Sequence, residues 1–287
     1  MKISANEDSN IPCLASHCLG PLHQLEEALL AFQSVTENWL REQWRKTPAP
    51  FYSSVDLRNA GFKLAPVDTN LFPAGFNNLN DRFISLAVQA AQETLERLLP
   101  GCLRILLIPE NHTRNSFYFE NLSTLQDILE KAGFEVRIGS LLEEMPHAKE
   151  IVLASGARIT LEPIVRVADQ IKVKDFLPCC ILLNNDLANG IPEILQGIEQ
   201  TILPNMNLGW HSRLKSNHFR HYAQVAGEFA QLLGLDPWLI TPLFSRCAEV
   251  DFMQREGEAC MMQESQQILH ATQKKYDQYH IKEKPYV

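Results

Sequence analysis

Residues 103–138 read LRILLIPENHTRNSFYFENLSTLQDILEKAGFEVRI, and they decide the fold class. Residues 103–108 are a continuous apolar run, the signature of a strand covered on both faces. Residues 109–116 are a polar loop. From 117 to 131 apolar residues recur at helical spacing, and Gly133 stands just past the end. Residues 134–138 are the next strand. Strand, loop, helix and strand within one short segment form a βαβ unit, which predicts a parallel sheet and an α/β fold.

Working outward, residues 180–183 (CILL) form a second buried strand, followed by Asn184-Asn185-Asp186. Residues 149–154 and 157–163 flank Ser155-Gly156 and read as a hairpin. Helical spacing predicts helices over 22–46, 82–99, 192–198, 217–233 and 255–278. Pro48 and Pro50 end the first. Residues 50–80 are too rich in Gly, Pro and Asn for a helix and too apolar for a linker, so an ordered irregular loop is expected. The composition shifts near 200–210. We therefore expect an α/β domain over 1–200, opening with an irregular arm, and a mainly helical appendage over 201–287. Pro285-Tyr286-Val287 reads as the start of a strand. On that reading the chain stops short of a further domain, and the tail beyond about residue 270 is loosely held.

The 287 residues are 45% hydrophobic and 21% charged, as in ordinary globular proteins. The net charge of −8 argues against a nucleic-acid partner. No apolar run is long enough for a membrane span, and Glu7 and Asp8 spoil any secretory signal. A cytoplasmic protein is expected. The seven cysteines, Cys13, Cys18, Cys102, Cys179, Cys180, Cys247 and Cys260, are scattered and odd in number, which fits reduced thiols. Cys179 and Cys180 read as small buried residues. Cys13 and Cys18 with His17 and His23 are the one metal-like cluster, but no second ligand pair follows, so no metal site is assigned.

Three stretches could carry chemistry. Residues 50–80 hold Asp56, Arg58, Asn59, Lys63, Asp68, Asn70, Asn77 and Asn78 between apolar residues. An Arg fork suits a carboxylate, Asp suits an ammonium, and Asn donates and accepts. Together they could grip an amino acid by both ends. Equally, these groups could satisfy the loop's own backbone. His112, Arg114 and Asn185 follow buried strands, where open parallel sheets bind ligands. Residues 209–219, GWHSRLKSNHF, put His211, Arg213 and Lys215 into an otherwise acidic chain. They suit phosphate or carboxylate, or simply a solvated basic face. No Walker loop, GxGxxG, HExxH or GxSxG occurs, so hydride transfer and serine hydrolysis have no support.

The run SSVDLRNAGFKLAPVDTNLFPAGFNNL (53–79), with PENHTRN (109–115), LLNNDLANGIP (182–192) and GWHSRLKSNHF, resembles the proteobacterial glutamate–cysteine ligases of the smaller, glutathione-synthetase-like kind. The resemblance spans about residues 20–287. It implies an ATP-dependent ligase of glutathione synthesis that joins glutamate to cysteine through a γ-glutamyl phosphate, with Mg²⁺. It also implies a fold like the N-terminal part of an ATP-grasp enzyme. Asp56, Arg58, Lys63 and Asn70 would hold the ends of glutamate. Arg114 with Arg213 or Lys215 would face the acyl phosphate. The ATP-contacting Lys, the Gly-rich loop and the metal carboxylates that the resemblance places after a segment like 284–287 are not in this sequence. The implied partners are small molecules only, without nucleic acid or membrane, and an oligomer is compatible. The competing expectation is a catalytically inactive amino-acid-binding or regulatory module.

Overall fold

Ile105, Leu106, Leu107 and Ile108 have no solvent exposure in the computed structural model, which describes residues 20–110, 116–142, 145–248 and 250–286. In chain order the elements are α1 (Pro21–Ala31), α2 (Gln33–Lys46), β1 (Ser54–Asn59), β2 (Leu64–Asn70), α3 (Ile84–Leu98) and β3 (Arg104–Pro109). They continue with α4 (Ser116–Lys131), β4 (Glu135–Ser140), β5 (Lys149–Val152), β6 (Arg158–Pro163), β7 (Val165–Val167) and β8 (Gln170–Lys172). Then come β9 (Cys180–Asn184), β10 (Thr201–Leu203), α5 (Lys215–Leu232) and α6 (Arg255–Gln278). Two compact units emerge. The first comprises Ala49–Ser54 and Thr69–Arg213; the second comprises residues 20–48, Val55–Asp68 and residues 214–286.

The first unit is built on a six-stranded sheet in the order β10-β9-β3-β4-β6-β5. All neighbours run parallel except β5, which pairs antiparallel with β6. Alternation along the central strands explains their unbroken apolar runs. Ile105, Leu107, Cys180 and Leu182 face a core shared with Leu122, Leu125 and Leu129 of α4 and Leu95 of α3. Leu106, Ile108, Ile181 and Leu183 face a second core made by Phe72, Ile171, Val173, Phe176, Leu187 and Leu195. Each such side chain contributes roughly 1.5–3 kcal/mol by leaving water. Helices therefore cover one face, while the β7–β8 ribbon and short turns cover the other.

In the second unit Pro21 opens α1, where its missing N–H costs nothing. Trp39 of α2 packs on Phe229 of α5, with ring centroids 5.0 Å apart. A small core gathers Trp238, Leu239 and Tyr276, with Phe62, Leu235, Ile240, Tyr279 and Ile281 against it. The β1–β2 ribbon lies mostly in this unit.

Several expectations are corrected. The helix expected over 22–46 breaks at Phe32, whose backbone leaves the helical region between α1 and α2. The stretch 50–80 is not an irregular loop: it pairs with itself as β1 and β2 before two 3₁₀ turns. The helix expected over 192–198 is a single 3₁₀ turn, Glu193–Leu195. Residues 285 and 286 form no strand. The tail is tied in: Tyr276 is buried, and the amide of Ile281 donates to the Tyr276 carbonyl at 2.8 Å. The thiols are not all reduced either. Cys102–Cys179 and Cys247–Cys260 are disulfides, and Cys180 alone is free and buried among the described residues. Cys13, Cys18 and His17 lie outside the described residues. Among the described residues, no helix is long and apolar enough to cross a membrane.

Candidate functional site

In the second unit the β1–β2 ribbon, the residues around Trp238, α6 and the segment after α6 enclose a cavity of about 570 Å³. That size falls within the range of small-molecule sites. The ribbon's turn is fixed locally. Asn59 Oδ1 accepts from the Gly61 amide at 2.8 Å, and the Ala60 amide donates to the Lys63 carbonyl at 3.0 Å. Strand alternation then sorts the side chains. Lys63, Ala65 and Val67 line this cavity, while Leu57, Leu64 and Pro66 line an apolar hollow against Tyr222 and Phe229.

Opposite the ribbon stands Trp238. Asp236 caps its 3₁₀ turn, accepting from the Trp238 amide at 2.9 Å, and Pro237 follows at the first turn position. Asp236 also accepts from Lys275 at 2.5 Å and from the Tyr279 hydroxyl at 2.9 Å. Partial burial works against the Asp236 charge, but these donors outweigh it and hold the carboxyl below its ordinary range. Tyr279 is pushed up to about 12 by burial first, and then by its bond to Asp236. The Trp238 indole packs against three rings. Phe62 lies parallel at 6.0 Å, Tyr279 stacks at 5.2 Å, and Tyr276 meets it edge-on at 6.4 Å.

Lys63 is the cation of this wall. Its ammonium donates to the Thr241 carbonyl at 2.6 Å and lies 4.6 Å from the centre of the Trp238 ring. Burial pushes its pKa down to about 8; the nearby Asp236 charge opposes the shift and Lys275 adds to it. Arg58, Asn59, Thr272, Glu283 and Tyr286 complete the polar lining, and Pro242, Leu243 and Ile268 the apolar part. Such a wall can hold carboxylates on two cations and an ammonium on one carboxylate, with flat apolar surface between them.

A family model, GshA, described as glutamate-cysteine ligase, matches residues 26–287. The chain belongs to the glutamate-cysteine ligase family. A crystal structure at 1.90 Å of a protein provisionally named gamma-glutamylcysteine synthetase, from Methylobacillus flagellatus KT, is similar at 49% identity with a TM-score of 0.89. The match covers 94% of this chain and 63% of that one, so the chain spans less than two thirds of that protein's length. No curated protein matches.

Of the residues that sequence reading assigns to this glutamate-cysteine ligase family member, Arg58, Asn59 and Lys63 meet at the cavity. Asp56 is exposed on β1, one alternation from Arg58. Asp68 pairs with Lys215 at 3.1 Å in the same unit. In the first unit, Asn70 Oδ1 accepts from the Phe72 amide at 2.8 Å, and Asn77 and Asn78 sit exposed in a 3₁₀ turn. Asn185 is buried and serves the interior: it donates to the Pro109 carbonyl at 3.2 Å and accepts from the Leu187 amide at 3.0 Å. Its neighbour Asn184 ties Tyr118, Asn121 and the Pro73 carbonyl together at the strand ends. Arg213 donates to the Thr69 carbonyl, with its guanidinium 4.5 Å from the Trp210 ring centre. His211 stands beside Gly209. His112 and Arg114 lie outside the described residues. Sequence reading missed Trp238, Tyr276 and Glu283. The one local signal was Asp236-Pro237 before a Trp, a capped turn carrying a large aromatic.

Proposed function

We propose that this chain carries the glutamate-holding part of an ATP-dependent glutamate–cysteine ligase, with the second-unit cavity as the glutamate site. The observation that carries the reading is the meeting of Arg58, Asn59 and Lys63 in one aromatic-walled cavity, in a chain of this family. In the proposed reaction a γ-carboxylate oxygen of glutamate takes the terminal phosphoryl group of ATP, and ADP leaves. The amine of cysteine then attacks the acyl carbon, phosphate leaves, and a proton is released. Side chains do little covalent work in such a sequence; they position groups and balance charge. Arg58 offers a planar fork to one carboxylate, and Lys63 a fixed ammonium to the other. The aromatic wall partly shields Lys63 from water, whereas Arg58 stays exposed.

ATP and Mg²⁺ remain part of the proposal as co-substrates. Among the described residues no group of three or more His, Cys, Asp or Glu could hold a metal ion. We also propose a cytoplasmic location. The test is to incubate the chain with L-glutamate, L-cysteine, ATP and Mg²⁺ and to follow γ-glutamylcysteine by mass spectrometry alongside glutamate binding by calorimetry. Product formation supports the ligase. Glutamate binding without product is the result expected of the glutamate-holding part alone. Absence of both sinks the assignment of the cavity.

A further inference from the structure

We infer that Glu283 is the group that receives the α-ammonium of the substrate, so that the cavity selects an α-amino dicarboxylate rather than a plain dicarboxylate. The inference rests on the reading of this cavity as the glutamate site. Its basis is the charge set of the walls. The lining carries two cations, Arg58 and Lys63, and one carboxylate, Glu283. Glutamate carries the mirror image: two carboxylates and one ammonium. An ammonium entering such a site loses water on several sides and needs an acceptor there.

The other nearby carboxylate is already committed. Asp236 takes Lys275, the Tyr279 hydroxyl and the Trp238 amide, and does not line the cavity. Asn59 Oδ1 is occupied by the Gly61 amide. Lys63 is anchored to the Thr241 carbonyl and the Trp238 ring, so it cannot follow a ligand and fixes where one carboxylate must lie. Glu283 is exposed at the cavity edge, and its charge reaches the buried Tyr276 phenol on α6. It is thus placed to meet a ligand that enters from solvent. The role is not legible in the sequence, because Glu283 sits between two lysines in a charged tail.

The test is calorimetric titration of the purified 287-residue chain with L-glutamate and with glutarate, which has both carboxylates but no amine. The native chain should bind glutamate more tightly than glutarate. Glu283→Gln should weaken glutamate about tenfold, as loss of a charge-assisted contact does, and leave glutarate within about twofold. Equal loss for both ligands would make Glu283 a structural residue and overturn the inference, as would no loss for either; both outcomes leave the cavity as a glutamate site. If neither ligand binds the native chain, the cavity reading falls and the inference with it.

Discussion

Lys63 combines two roles that pH can separate. Its ammonium is partly buried, with a pKa near 8 instead of the ordinary 10.5. The unfolded chain therefore holds more protons between those two values, and this group's contribution to stability rises as pH rises through that window. Binding of a carboxylate runs the other way, because it needs the charged form. Glutamate affinity should fall as pH rises through about 8, and Lys63→Arg should keep its affinity to about pH 9.5, since a guanidinium stays charged. Calorimetric titrations from pH 6.5 to 9.5 check both curves; identical profiles would remove Lys63 from the site. Arg58 is exposed, so its contact is worth less than a buried one. Arg58→Ala should cost about 1.5 kcal/mol in glutamate binding, the lower end for a charged hydrogen bond. In a turnover assay it should raise the KM for glutamate while sparing that for ATP.

Among the elements, α5 and α6 each carry one interior glycine, and the two call for opposite outcomes. A Cβ on Gly257 would lie 2.2 Å from the Asp251 carbonyl oxygen, so the segment before α6 crosses the helix at a point where only glycine fits. A Cβ on Gly227 of α5 would meet nothing within 4 Å. Gly257→Ala should destabilise by about 1–3 kcal/mol through overpacking. Gly227→Ala should stabilise by about 1 kcal/mol through helix propensity. Urea denaturation of the two variants checks the pair. Elements with strong periodicity were legible in the sequence: β3, α4, β4 and β9 carry continuous or helical apolar patterns, and α6 ends where its pattern ends. The β1–β2 ribbon was not, because Pro66 and the polar residues around it mask an alternation that divides two hollows rather than core from solvent. β7, β8 and β10 span three residues each, too few for any period to register. The lining of the candidate site was legible only in part. Arg58, Asn59 and Lys63 share one motif, whereas Trp238 and Glu283 come from distant segments and reach the cavity only through tertiary folding.

At the scale of the whole molecule, both disulfides close within single units. Cys102–Cys179 spans 77 residues of the first, and Cys247–Cys260 spans 13 residues of the second. Loop-closure arguments give each a stabilisation of about 3–5 kcal/mol. Unfolding the chain without reductant and alkylating it should therefore label Cys180 but spare these four, while prior reduction should label these four as well and lower the urea midpoint. Peptide mass spectrometry reads the labels; alkylation of Cys102 or Cys247 without reductant would show that the bridges do not form. The division of the chain has a further consequence during synthesis. Residues 20–48 and 55–68 leave the ribosome early, but α5 and α6, with which they share a unit, emerge only after the whole of 69–213. At ordinary elongation rates that delay is on the order of ten seconds. Throughout it Trp39 has no Phe229 to pack on, and Phe62 has no Trp238. The nascent chain thus displays an early, half-built surface while the sheet behind it completes. How long that surface stays open is set by the order of the segments in the chain rather than by the stability of the finished fold.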